Sequence, residues 1–100
     1  MPHRQVEFHP EAAAEAEEPW RGTANRSVRA ASEFLGELDR AVAAILQYPG
    51  RWPEMRAGIR RYPLKRFPFV VYREVLSLIQ VLAIAHGRRR PGYWEGREQH

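Results

Sequence analysis

The sequence predicts an α+β fold built as one domain over residues 1–100, with a short N-terminal strand, a helical hairpin and an antiparallel β-meander. Three observations support this fold class. A stripe of apolar residues with helical spacing occupies the middle of the chain, and segments rich in aromatic and β-branched residues follow it. A chain of 100 residues can also bury only one modest core.

The first strand and the first helix are predicted near the N-terminus. Residues 5–9 alternate between apolar and polar side chains, as in a short half-buried strand. Pro10 opens a helix at a position that tolerates proline, and the Ala-rich run behind it favours helix strongly. Because Pro19 lacks an N–H group, we expect a kink or an end there, with Trp20 folded back onto the core.

The second helix has the clearest periodicity in the chain, and Pro49-Gly50 end it. Its short connection to the first helix predicts an antiparallel helical hairpin. We expect the middle of its apolar stripe, around Leu38, to be buried against the sheet. The stripe recurs at spacings of three and four residues: Val28, Ala31, Leu35, Leu38, Val42 and Ile45.

Three strands with short links are predicted in the second half, at residues 58–64, 67–75 and 78–86, and they form an antiparallel meander. Pro63 places the first of them at an edge of the sheet. The link between the last two contains no Gly, Asn or Asp, so we expect Leu76 to be an exposed apolar residue at a turn. The tail after His86 is basic, aromatic and irregular.

Positive charge collects in the second half of the chain. Residues 1–50 carry 5 basic and 8 acidic side chains, a charge of −3, whereas residues 51–100 carry 11 and 4, a charge of +7. This asymmetry predicts a face that meets a polyanion or an acidic partner. All the basic residues except Lys65 are Arg, which suits bidentate phosphate contacts, although a GC-rich genome would also favour Arg.

Several function classes are excluded by composition. The absence of cysteine removes disulfides, thiolate zinc sites and cysteine catalysis. No apolar run reaches the ~18 residues of a membrane span, and no secretory signal is present, so we expect a cytoplasmic protein. The four histidines show no metal-ligand spacing, and there is no nucleotide-binding or serine-hydrolase motif; we therefore expect neither metal nor cofactor.

The basic strands and the tail are the candidate binding residues. In a meander they can gather on one face, where guanidinium groups bind phosphate and aromatic rings stack on bases, as RNA recognition requires. The alternative is a solvated basic face above core aromatics. The candidates for nucleic-acid or target binding are Arg60, Lys65, Arg73, Arg88, Arg89, Arg90 and Trp94.

A second set of residues could supply chemistry. Cleavage of RNA through its 2′-hydroxyl needs one proton taken, one given and the developing negative charge neutralised. His86, Glu54, Tyr93 and several of the arginines could supply these parts. The alternatives are that His86 orients the tail by a backbone hydrogen bond and that Glu54 is a surface loop residue.

The chain resembles the RelE/ParE superfamily of bacterial type II toxin–antitoxin toxins. The resemblance extends from about residue 5 to Arg97 and is strongest in two stretches taken together. These are the strand Arg66-Phe67-Pro68-Phe69-Val70-Val71-Tyr72-Arg73 and the end Ala85-His86-x-Arg88-Arg89-x-Pro91-x-Tyr93-Trp94.

This resemblance implies a small toxin that a neighbouring, acidic antitoxin neutralises, as a homodimer or in a toxin–antitoxin hetero-oligomer. RelE-like members cut mRNA on the ribosome without metal, and His86 and Tyr93 fall where those members often keep catalytic residues. The resemblance implies His86 or Tyr93 in proton transfer and places Arg61 and Arg66 at catalytic positions, with Arg61, Arg66 and Arg89 on phosphate. ParE-like members instead poison DNA gyrase and are not enzymes. Ribosome-dependent mRNA cleavage is our first expectation, gyrase inhibition the second, and a degenerate toxin that only binds its antitoxin the third.

Overall fold

Seven elements form the fold in a computed structural model that describes residues 5–21, 28–64, 69–85 and 92–97. The predicted order of a strand, two helices and antiparallel strands is confirmed. The elements are β1 (Gln5–Phe8), α1 (Pro10–Arg21), α2 (Val28–Gln47), β2 (Glu54–Arg56), β3 (Ile59–Pro63), β4 (Phe69–Val75) and β5 (Leu78–Ala85).

The strands form one sheet in the order β1-β5-β4-β3-β2. β2 to β5 pair with antiparallel neighbours, whereas β1 runs parallel to β5, with Val6 opposite Ile79 and Phe8 opposite Val81. The first strand therefore forms one edge of the sheet beside the last strand, and β2 forms the other edge.

A β-bulge in β5 decides which side chains face the helices. Val71 pairs with Ala83 but Tyr72 pairs with Val81, so Leu82 is an extra residue in the ladder. An extra residue shifts the alternation of the strand by one position. Val81 consequently packs in the helix-side cluster, whereas Leu82 and Ala83 both belong to the cluster on the opposite face.

The helices cover one face of the sheet. Leu38 is 6% exposed and packs with Phe34 and Ile45 against side chains of β4 and β5, which confirms the predicted burial at the middle of the α2 stripe. Leu35 is different, because it is 45% exposed although it belongs to the predicted stripe. The buried positions of α2 run through Phe34, Leu38 and Ala41, and Leu35 lies beside this row.

Two proline predictions need correction. Helix α1 does not end at Pro19 but continues to Arg21, because a proline in the last turn removes only one of the final helical hydrogen bonds. The alternative of a kink at Pro19 stays a prediction. Strand β3 is also not an edge, since β2 pairs with it at Ile59 and Arg60. Pro63 lies past the end of that short pairing, so its missing N–H leaves no ladder bond unmade. The side chain of Trp20 lies outside what the structure describes.

The two tight turns of the meander differ in their residues. Strand β2 was not predicted; a turn at Ala57-Gly58 connects it to β3, with Gly58 at a φ of 77°. The β4–β5 turn places Leu76 at a φ of 56° with 93% of its surface exposed, which confirms the predicted exposed apolar turn residue. When the first residue of a two-residue loop has a positive φ, that residue is normally glycine; here it is Leu76.

Candidate target-binding face

The strand arginines divide between the two faces of the sheet. Residues paired across neighbouring strands share a face, and Arg60 pairs with Tyr72 of the helix-side cluster. Arg61 pairs with Val71, and Arg73 with Ile59; both partners belong to the opposite cluster. The expectation that all these arginines gather on one face is therefore wrong for Arg60, because adjacent strand residues point to opposite sides.

We call the face opposite the helices the target-binding face, after the target contacts that the sequence predicts for its arginines; it carries the described strand arginines other than Arg60. The guanidinium of Arg61 lies 5.2 Å from the centre of the Phe69 ring. Arg73 donates from Nε to Oε1 of Gln80 at 2.7 Å, and Gln80 is buried, although it was not among the predicted site residues. Nη1 of Arg56 lies 3.0 Å from Oε2 of Glu95.

The segment 92–97 covers part of this face as a compact turn. Backbone N–H groups of Glu95 and Arg97 donate to the carbonyls of Gly92 and Trp94, respectively. Trp94 is only 3% exposed, because its ring packs in the cluster of Ile59, Val71, Leu82, Ala83 and Ala85. The ring of Trp94 therefore closes the second core of the protein, and its contact with a target stays a prediction that this burial does not support.

Tyr93 lies beside Trp94 and is half-buried. Its hydroxyl donates to the backbone carbonyl of Ile84 at 3.3 Å, and its ring centre lies 5.1 Å from the guanidinium of Arg97. Tyr93 and Phe69 both pack against the same cluster. The structure therefore brings Tyr93 and Arg61 to one face, with the hydroxyl of Tyr93 bonded to the sheet.

A buried ion pair fixes the end of this turn. The guanidinium of Arg97 donates from Nη1 to Oε1 of Glu15 at 3.1 Å and from Nη2 to Oε2 at 2.9 Å. The side chains are 7% and 4% exposed. Glu11, 68% exposed, adds a longer contact of 3.4 Å to Nη2. Helix α1 and the C-terminal turn are thus joined by a bidentate, nearly solvent-free contact.

The Glu15–Arg97 pair also completes the edge of β5. Strand β1 ends at Phe8, after which the N–H of His9 donates to the carbonyl of Val81. Farther along β5, Arg97 donates to the carbonyl of Leu82 at 2.9 Å, and the N–H of Ile84 donates to Oε1 of Glu15 at 3.0 Å. Two side chains therefore satisfy the backbone groups that β1 is too short to reach.

The carboxylate of Glu15 raises the pKa of Arg97. Burial by itself would lower the pKa of Arg97, but the hydrogen bond and the negative charge of Glu15, helped by Glu11, raise the pKa above its ordinary value. Arg97 therefore stays protonated although it is buried. Sequence reasoning missed both partners, because Arg97 lies 82 residues from Glu15 and neither belongs to a recognisable motif.

The remaining predictions from the sequence concern a metal site, a membrane span, Glu54 and six further residues of the basic strands and tail. In the ranges that the structure describes, no three His, Cys, Asp or Glu side chains group as a metal site, and no helix has the length and apolar character needed to cross a membrane. Glu54 is exposed on β2, where its carboxylate accepts from the N–H of Gly58 at 2.9 Å. Outside the described residues lie His86, Lys65, Arg66, Arg88, Arg89 and Arg90.

Comparison with known proteins identifies the family. Residues 6–91 match the family model of the ParE toxin of the type II toxin–antitoxin system parDE. The chain belongs to the ParE toxin family. This places it in the RelE/ParE superfamily, as the sequence resemblance indicated.

A solved structure supports the fold of this ParE family member. A protein of the chromosomal ParDE toxin–antitoxin system from P. aeruginosa is 19% identical and superposes with a TM-score of 0.70. The match covers 84% of this chain and 96% of the other. No curated protein matches the sequence.

Proposed function

We propose that this ParE family member arrests growth by inhibiting DNA gyrase through binding, without a reaction of its own. The match of residues 6–91 to the ParE toxin family carries this proposal, because gyrase inhibition is what the resemblance to ParE-like toxins implies. A gyrase inhibitor acts where the chromosome lies, so the proposed location is the cytoplasm.

The target-binding face supports a role in binding. Two of its aromatic candidates have structural contacts: Trp94 is buried, and the hydroxyl of Tyr93 donates to a backbone carbonyl. Arg61, in contrast, is exposed on β3, and its guanidinium lies over the aromatic ring of Phe69. A face of this kind offers positive charge to a partner rather than a paired acid and base.

A second candidate function is ribosome-dependent mRNA cleavage, with His86, Tyr93, Arg61 and Arg66 in the catalytic roles given above. One observation favours it: Arg61 and Tyr93 lie on the same face of the sheet. A guanidinium and a hydroxyl on one face are groups that metal-independent cleavage would use.

Two assays on the purified toxin and on expressing cells separate these functions. We expect inhibition of gyrase supercoiling in vitro, together with DNA breaks and an SOS response in cells whose mRNA stays intact. Arg61→Ala should weaken the inhibition if the target-binding face makes the contact, while Arg29→Ala on α2 should not. Cuts within translated codons that disappear in a folded His86→Ala or Arg66→Ala variant would show mRNA cleavage instead.

The antitoxin is the proposed partner of the free toxin. An acidic segment that folds on binding would neutralise the basic half of the chain and cover exposed apolar groups such as Leu76, which is 93% exposed. Charge attraction mainly speeds association, whereas apolar contacts mainly slow dissociation. Added salt should therefore slow association several-fold, and Leu76→Ser should speed dissociation; salt-independent association would contradict docking on the basic face.

A further inference from the structure

A group of aromatic and arginine side chains lies on the helix side of the sheet, at the end of α2. We call Tyr48, Arg51, Trp52 and Tyr62 the aromatic–arginine surface. The guanidinium of Arg51 lies 5.9 Å from the ring centre of Tyr48 and 5.8 Å from that of Trp52. The Trp52 and Tyr62 rings are 4.7 Å apart and tilted by 54°. The four side chains thus form one continuous contact surface.

The backbone beneath this surface is fixed by the sheet. The buried hydroxyl of Tyr72 donates to the carbonyl of Pro49 at 2.7 Å, and Nη1 of Arg60 donates to the carbonyl of Trp52 at 2.6 Å. The N–H of Arg61 donates to the carbonyl of Pro53 at 3.2 Å. A loop held at three successive points presents its side chains in one arrangement, which lowers the entropy cost of binding a partner.

The aromatic–arginine surface is exposed, and among the described residues no carboxylate pairs with its positive charge, Arg51. Tyr48 is 51% exposed, Arg51 is exposed, and Trp52 and Tyr62 are half-buried. Among the described residues, Arg29, Arg56 and Arg97 each pair with a carboxylate, whereas the contacts of the Arg51 side chain are aromatic. Tyr, Trp and Arg are also the residues that most often dominate binding energy at protein interfaces.

We propose that the aromatic–arginine surface is a second docking site, and that its occupant is an acidic segment of a protein partner. A carboxylate of that segment pairs with Arg51, and an apolar side chain packs on the rings of Tyr48 and Trp52. A nucleic acid fits less well, because phosphate binding needs a row of free positive charges. Here Arg60, the neighbouring arginine, already donates to a backbone carbonyl.

This site is separate from the target-binding face. Tyr62 pairs with Val70 of the helix-side cluster, and Trp52 packs against that same cluster. Arg61 and Trp94 lie on the other side of the sheet. The toxin can therefore hold an acidic segment on one side while the target-binding face remains open.

Nuclear magnetic resonance of the ¹⁵N-labelled full chain tests the proposal, because Trp52 and Trp94 report on opposite sides of the sheet. The probes are a short synthetic peptide rich in Glu and Leu, and the same peptide with every Glu replaced by Lys. We expect the acidic peptide to shift the indole N–H signal of Trp52 but not that of Trp94, and the Lys peptide to shift neither.

Variants and a nucleic acid complete the test. Arg51→Ala should weaken binding of the acidic peptide about fivefold, the size of one exposed charge pair. The matched control Arg29→Ala removes an arginine that is exposed on α2 and should leave binding unchanged. The proposal is wrong if the peptide shifts Trp94 instead, if Arg51→Ala binds as tightly as wild type, or if a single-stranded oligonucleotide shifts Trp52 equally well.

Discussion

Breaking the Glu15–Arg97 pair should destabilise the protein far more than a surface ion pair would. Arg97→Met leaves the carboxylate of Glu15 in a site where that side chain is 4% exposed, without the guanidinium that compensated it. Removing one partner of a buried pair costs about 3–5 kcal/mol. A domain of this size has about 5–15 kcal/mol of total stability, so the variant should lose a large share of it.

A double-mutant cycle separates the ion pair from packing. In Glu15→Met/Arg97→Met no charge remains buried, so the loss should be smaller than the sum of the two single losses, with a coupling of about 1–3 kcal/mol. The N–H of Ile84 and the carbonyl of Leu82 still lose their partners in this variant, so some loss remains. Arg29→Met is the control, because Arg29 pairs with Glu33 at 3.5 Å with 89% of its side chain exposed.

Urea and thermal unfolding followed by tryptophan fluorescence and circular dichroism give the required free energies. Arg97→Met should lower the melting temperature by roughly 12 °C or more, and Arg29→Met should change stability by less than about 1 kcal/mol. Unfolding of Arg97→Met at the wild-type urea concentration, or strictly additive losses in the cycle, would refute the view that this pair holds the C-terminal turn on the sheet.

Three further changes test other parts of the fold. Leu38→Ala should cost about 2–5 kcal/mol because Leu38 is 6% exposed, and an unchanged melting curve would mean that the α2 stripe faces a partner. Burial, opposed in part by Arg60, raises the pKa of Tyr72 above its usual value near 10. The unfolded chain therefore releases this proton first, so wild-type stability should fall as pH rises above about 10, and Tyr72→Phe should flatten that fall in pH-dependent urea titrations. Leu76→Asn should raise stability by about 0.5–1 kcal/mol, because asparagine tolerates a φ of 56° better than leucine and the exposed side chain makes few contacts; a lower melting temperature would contradict strain at this turn.

Local periodicity was enough to predict most of the elements. The spacing of apolar residues predicted α2 and the burial of Leu38, and the absence of Gly, Asn and Asp between β4 and β5 predicted the exposed Leu76. The same reasoning could have separated Arg60 from Arg61, because neighbouring residues in a strand point to opposite faces. The Gly58 turn was likewise a usable signal for β2.

Contacts between distant segments could not be predicted in this way. The parallel pairing of β1 with β5 depends on the path of the chain through both helices, and no local sequence pattern predicts that path. The burial of Trp94 depends on a bulge at Leu82 that turns two successive side chains toward it. In the sequence, Glu15 looks like any glutamate in an Ala-rich helix, and Arg97 looks like any arginine in a basic tail. Only the fold brings the two together.

The parallel pairing of β1 with β5 sets the order in which a nascent chain can fold. Glu15 meets the N–H of Ile84, 69 residues later, so neither the sheet edge nor the helix-side core can close before β5 has emerged. At about 5–20 residues per second, translation from the first of these residues to the second takes roughly 3–14 s. Because non-local pairings of this kind also form slowly, the target-binding face is assembled only after most of the chain has been synthesised.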